Sequence, residues 1–151
     1  MWDDVREEVD LELAEMRRLF QEHESLLASA ERGEPDGTQV LALAAILHSF
    51  YNGCENVFKR IAQEIDHSLP TGEAWHRDLL LAMARPGPDR PAVLPDDLVE
   101  ALAGYLRFRH AFRHIYTHNL KWSNMAPLVA TFRPTYDQLA ATLNAFFESA
   151  Q

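Results

Sequence analysis

The sequence predicts an all-α bundle of about five helices, and three observations predict it. Apolar residues recur at three- and four-residue steps through most of the chain, the spacing that keeps them on one face of a helix. Nowhere does the two-residue alternation of a half-buried strand compete with that rhythm. Glycine and proline gather between the periodic runs, around 33–37, 67–72 and 86–95, where they stop helices. A chain of 151 residues can bury one core of respectable size, so a single domain over residues 1–151 is expected.

The first helix is expected over residues 3–31, where Val5, Val9, Leu13, Met16, Phe20, Leu27 and Ala30 form the apolar stripe. Gly33, Pro35 and Gly37 end it. Thr38 is a candidate cap for a second long helix whose stripe runs Val40, Leu43, Leu47, Phe50, Cys54, Phe58, Ile61 and Ile65. A short third helix carries Trp75, Leu79, Leu80 and Met83. Five residues of the next connection are Pro86, Gly87, Pro88, Pro91 and Pro95, which cannot lie inside a helix and predict an ordered loop. Pro95 suits the first turn of a fourth helix, and Asp96 and Asp97 suit the positive end of its dipole. Its stripe, Leu98, Leu102, Tyr105, Phe112, Ile115 and Asn119, predicts helix through to Lys121 and Trp122. Leu128, Phe132, Tyr136, Leu139, Leu143 and Phe146 predict a fifth, with Pro127 in its first turn and Pro134 as a kink or division.

Composition excludes several classes. Apolar residues at 47% and charged residues at 25% are those of a globular domain, and no apolar run reaches the length of a membrane span. The opening residues are acidic and lack a basic stretch followed by an apolar one, so no secretory leader is expected. Cys54 is the one cysteine, which makes the reducing cytoplasm the simplest compartment. The net charge of −9 disfavours bulk nucleic acid. Its distribution matters more: residues 1–31 hold ten acids against three arginines, whereas no acid occurs from Ala101 to Tyr136, a span with Arg107, Arg109, Arg113, Lys121 and Arg133. One local basic strip can receive a phosphate while the acidic remainder repels loose binding.

Three chemistries fit the densest part of that strip, LRFRHAFRHIYTHNLKW at 106–122. Arg and His can simply form the wet face of an amphipathic helix, although no acid stands at i±3 or i±4 to balance them. His110, His114 and His118 step by four and could ligate a metal on a continuous helix, but Arg109 and Arg113 stand beside them and this helix supplies no compensating carboxylate. Metal-independent RNA cleavage is the third. An imidazole can exchange a proton with a 2′-hydroxyl or a leaving oxygen, and an arginine can stabilise the charge that develops on phosphorus. Arg109 and His114 fit those roles. On an ideal helix they diverge by about 140°, so a homodimer that joins two copies of the fourth helix would bring both groups to one cleft. Glu55, on the polar side of the second helix with Tyr51, Asn52 and Asn56, could orient Arg109 or a histidine, or be solvated. His48 and Cys54 suit core positions, and Trp75 suits packing.

The run from Arg109 through His114 to Tyr116 resembles the Arg, four residues, His, one residue, Tyr signature of HEPN-domain toxins of the HepT type. FRHAFRHIY, with YNGCENVFKRIA and TGEAWHRDLL upstream, extends that resemblance over roughly residues 40–147. The resemblance implies a HEPN-like bundle and a cytoplasmic, homodimeric, prokaryotic ribonuclease toxin. It also implies a partner, an MNT-type nucleotidyltransferase antitoxin that transfers AMP to the motif tyrosine, here Tyr116. Neither cofactor nor metal is implied. The sequence departs from the family pattern at His110, where Asn or another polar residue is usual after the Arg. A second register, Arg113 to His118, has Leu120 where the tyrosine would stand, so Arg113, His110 and His118 are read as supporting or phosphate-binding groups. The different-class alternative is a catalytically silent HEPN-like module that binds a nucleotide or a nucleotidyltransferase.

Overall fold

Among residues 2–149, which the computed structural model describes, seven α-helices follow one another: α1 (Trp2–Glu22), α2 (Glu24–Arg32), α3 (Gly37–Ile61), α4 (Trp75–Met83), α5 (Asp96–Phe112), α6 (Trp122–Ala130) and α7 (Phe132–Ser149). The all-α expectation holds. Seven replace five because the first and last expected helices are each divided. The first breaks at His23, whose backbone leaves helical angles between α1 and α2. The last breaks at Thr131. Pro134 has no N–H for the carbonyl of Ala130, and its ring would press on that carbonyl, so α6 stops there and Pro134 lies in the first turn of α7. Pro127, expected at a helix start, lies inside α6 instead. Thr131 donates its N–H and its hydroxyl to the Pro127 carbonyl, at 3.2 and 2.9 Å.

Helix α3 is the element that the others cover. Its cap is Asp36 rather than Thr38: the Asp36 carboxylate accepts from the Gln39 N–H at 2.8 Å, and the Gln39 side chain accepts from the Asp36 N–H at 3.0 Å, a reciprocal capping box. Past Ile61 the helix widens into a π turn, Ala62–Asp66, which ends at His67 in the left-handed region with φ 54°. The Ser68 N–H then closes back on the Ala62 carbonyl at 3.0 Å. Helices α1, α4, α5 and α6 all pack on α3. Phe50, fully buried, meets the Tyr105 ring of α5 at 5.3 Å and the Phe132 ring of α7 at 4.9 Å, while Phe20 of α1 reaches Phe132 at 4.3 Å. Burying each such side chain is worth about 1.5–3 kcal/mol.

The proline-rich connection is tied down by Arg90. Its guanidinium donates to both carboxylate oxygens of Asp66, at 2.7 and 2.8 Å, and to the carbonyls of Arg85 and Pro91. Gly87 is needed where the loop crosses this pair, since a Cβ there would stand 2.8 Å from Asp66 Oδ1. The Val93 and Leu94 N–H groups both bond the Met83 carbonyl, so the loop delivers Pro95 directly to the start of α5.

Helix α5 stops at Phe112, not at Trp122 as its apolar stripe predicts. Arg109 and His110 occupy its last turn and Arg113 its C-cap, where cations favour the negative pole of the dipole; Asp96 and Asp97 hold the other pole. Residues 113–116 are turn and extended chain, and a short 3₁₀ turn, Thr117–Asn119, leads to α6. The β-branched Ile115 and Thr117 add little helix propensity to prolong it. None of the described helices is long and apolar enough to cross a membrane.

Candidate active site

On α3 the residues His48, Tyr51, Asn52 and Glu55 stand at i, i+3, i+4 and i+7, one polar stripe along the helix. That stripe faces the C-terminal half of α5. The His48 ring lies 5.5 Å from the Phe112 ring, and the Arg109 guanidinium stacks 5.1 Å from the centre of the Tyr51 ring. Asn56 belongs elsewhere: its amide donates to Glu12 of α1 at 3.2 Å.

At the centre is a buried ion pair. Arg109, 3% exposed, donates from Nη1 to Glu55 Oε1 and from Nη2 to Glu55 Oε2, both at 3.1 Å, and Glu55 is itself 4% exposed. Nη1 also donates to Asn52 Oδ1 at 2.9 Å. His76, in the first turn of α4, completes the group with its Nδ1 2.7 Å from Glu55 Oε2 and 2.8 Å from Arg109 Nη2. Arg109 Nε and the Tyr51 hydroxyl are buried without a protein partner. Burial pushes the Tyr51 hydroxyl well above its usual range, reinforced by Cys54 and Glu55 and opposed by Arg109. It pushes the Cys54 thiol up as well, which keeps that residue an unreactive core group. His48 is shifted down, first by burial and then by the charges of Arg109 and Arg113.

Outside the pair, a cleft of about 760 Å³ runs along α5. Arg107, Arg109, His110 and Arg113 line the end where α5 finishes, and His76 and Arg77 reach it from α4; Asp96 and Glu100 line it near the start of α5. His114, Tyr116 and His118 are not among the lining residues. All three are exposed on the turn beyond α5, Tyr116 by 75%. The His114 ring meets the His110 ring edge-on at 4.7 Å, and the Tyr116 and His118 rings stack at 5.5 Å.

The geometry therefore alters several sequence expectations. A histidine ladder on one helix does not exist, because only His110 is inside α5; among the described residues no three His, Cys, Asp or Glu side chains are placed to hold a metal. The divergence expected for Arg109 and His114 on an ideal helix no longer applies, because α5 ends between them. Arg109 points into the molecule and His114 lies outside it. His110 and Arg113, expected as supporting groups, share the cleft with Arg109. Glu55 holds both Arg109 and an imidazole, and that imidazole is His76, which sequence spacing had no means of selecting. A polar stripe on a buried helix was the available signal for α3; nothing local joins residue 76 to residues 55 and 109.

A model of the HepT-like protein family matches residues 42–150. The chain belongs to that family. No curated protein and no solved structure matches it. Every side chain of the buried cluster and the cleft lies within the HepT-like segment, whereas α1 and α2 precede it.

Replacing Arg109 by Ala leaves the Glu55 carboxylate buried without its main counter-charge, and a loss of about 3–5 kcal/mol in urea unfolding is expected. Adding Glu55→Gln restores part of it, since a neutral amide needs no counter-charge. A loss below about 1 kcal/mol, the range of exposed pairs, would show the pair to be solvated. A second expectation concerns pH. The His48 pKa is lower folded than unfolded, so the unfolded chain takes up the proton first as pH falls. Its contribution to stability is intact above the ordinary value of 6.5 and diminishes below it. His48→Leu should flatten that part of the stability–pH curve, and an unchanged slope would show that another group titrates.

Proposed function

We propose that this HepT-like protein is a metal-independent endoribonuclease of the toxin type, working as a homodimer. The observation that carries this is the convergence of two imidazoles, His76 and His110, and four arginines, Arg77, Arg107, Arg109 and Arg113, on one cleft. Cleavage of RNA without a metal needs such a set: groups that can carry a proton and positive charge around one phosphate. Arg113 is exposed at the cleft and contacts the phosphate, while Arg109 lines the floor with its charge balanced by Glu55. His114, solvent-facing and beside His110, exchanges a proton with the RNA. One chain holds Arg109 inward and His114 outward, so a second copy that sets its own His114 turn against this cleft gives both groups access to one phosphate.

Tyr116 is the proposed acceptor of AMP from a nucleotidyltransferase antitoxin. Its exposure leaves the hydroxyl open to a partner enzyme. An adenylyl group there adds bulk and negative charge beside the cationic end of α5, where it competes with the substrate phosphate.

A specific observation favours the second reading, a silent interaction module: both Nη groups of Arg109 are already engaged by Glu55, Asn52 and His76. His114→Ala separates the two, since the residue is exposed and its loss leaves the core intact. Under the ribonuclease reading, RNA cleavage and growth arrest fall by about 100- to 10,000-fold with the unfolding midpoint unchanged. Wild type and variant that are alike inert toward RNA would establish the silent module. For the modification, mass spectrometry after co-expression with an active nucleotidyltransferase should find AMP on Tyr116 and none in Tyr116→Phe. An unmodified Tyr116 under those conditions refutes it.

A further inference from the structure

We propose that His76 is a catalytic residue of the cleft, a general base whose Nδ1–H is held by Glu55 and whose Nε2 is presented to substrate. The proposal rests on the ribonuclease reading above and adds a residue to it. His76 is 21 positions from Glu55 and 33 from Arg109, and only the packing of α3, α4 and α5 joins them.

Nδ1 has two close neighbours, Glu55 Oε2 at 2.7 Å, which calls for a proton on Nδ1, and Arg109 Nη2 at 2.8 Å, which calls for a lone pair; the shorter contact, to the charged carboxylate, sets the proposed tautomer. Arg109 does not need Nδ1 as an acceptor, because its Nη2 has the same carboxylate oxygen at 3.1 Å. Both donors converge on Oε2. With the proton on Nδ1, the neutral ring carries its lone pair on Nε2. Nδ1 is turned inward, whereas the side chain as a whole is 28% exposed and lines the cleft. Nε2 makes no hydrogen bond within the protein and is not among the buried unpaired atoms, so it is open to the cleft. The Trp75 ring stacks on the imidazole at 3.7 Å, with the Lys59 ammonium 4.9 Å from the Trp75 ring centre.

Charge arithmetic argues against a purely structural histidine. Arg109 alone neutralises Glu55 with two hydrogen bonds, so the imidazole is not required to balance a buried carboxylate. What the Glu55 contact adds is orientation: a carboxylate on one ring nitrogen fixes the tautomer and the ring, and stabilises the imidazolium once the other nitrogen takes a proton. Glu55 from α3 and Arg109 from α5 touch the ring, and the titratable or charged groups that share the cleft with it are Arg107, His110, Arg113, Asp96 and Glu100 from α5 and Glu73 and Arg77 beside it in sequence. Arg109 thereby gains a positioning role, holding Glu55 in place for His76.

In the step this arrangement performs, the 2′-hydroxyl proton passes to His76 Nε2 as the 2′-oxygen forms a bond to phosphorus. The bond from phosphorus to the 5′-oxygen breaks, and that oxygen takes a proton from the imidazolium assigned to His114. The products are a 2′,3′-cyclic phosphate and a free 5′-hydroxyl. No oxidant, metal or further reactant is consumed.

The test combines single-turnover cleavage of a single-stranded RNA by the full chain with ¹⁵N NMR of its histidines. His76→Ala and His76→Gln are expected to lose about 100- to 10,000-fold in rate, and added imidazole should restore part of the rate of the alanine variant. In the wild type near neutral pH, His76 should show a protonated Nδ1 and a bare Nε2. A wild type that cuts RNA beside an equally active His76→Ala overturns this role alone. So does a rate loss that imidazole leaves unrescued, or a neutral ring protonated on Nε2. A wild type that cuts no RNA overturns the ribonuclease reading as well, and the NMR result then stands separately on the Glu55 contact.

Discussion

The Glu55–Arg109 pair is the interaction on which the arrangement of this molecule's cleft depends. Two opposite charges removed from water cost several kcal/mol each in desolvation, offset only when geometry is good and the remaining hydrogen-bonding positions are filled. Here the pairing is bidentate, and Asn52 and His76 take further bonds. An apolar contact tolerates rotation of one helix against another, whereas this one tolerates little. It holds α5 at one rotation against α3, and with Arg109 turned inward, His110 and Arg113 come to the cleft. It also brings the first turn of α4 into the same network through His76.

The end of α5 is the second constraint. Acids at the start of this helix and cations at its finish match both poles of its dipole, so the basic cluster lies at a terminus rather than along a continuous surface. A terminus has consequences that a helix face lacks. His110 stays on the helix, His114 moves onto a turn, and Tyr116 stands 75% exposed beyond it. Groups close together in sequence thus occupy three different environments, and the environment decides which of them can act on a substrate within the cleft.

Family membership covers residues 42–150, which includes the cluster and the cleft. Helix α1 lies before that segment, yet it buries Val5, Val9, Leu13, Met16 and Phe20 against the rest of the core. Most of its acids are exposed, among them Glu15 and Glu22 paired with Arg18, while Glu8 and Glu12 meet Arg60 and Asn56 of α3. Eight of the chain's acids are on α1, none of them lining the cleft, which lets local attraction for a phosphate coexist with repulsion of bulk polyanions.

By itself the sequence determined the all-α class, the apolar stripes that became the core, the basic span without acids, and the Arg109–His114–Tyr116 run that carries the resemblance to HepT-type toxins. These are properties of spacing along one chain, and periodicity reports them directly. The helix division at Thr131 was signalled by Pro134; the one at His23 was less legible, because the apolar stripe continues across it while the backbone does not. Where α5 ends was misjudged for the same reason: Ile115 and Asn119 keep the rhythm, but the cations needed a pole to sit at. The partners of Arg109 were decided by tertiary structure alone. Asn52 and Glu55 carried a weak signal as polar residues on a buried helix, but His76 carried none. Only the packing of three helices sets its imidazole 2.7 Å from Glu55, and no periodicity records a contact made across the fold.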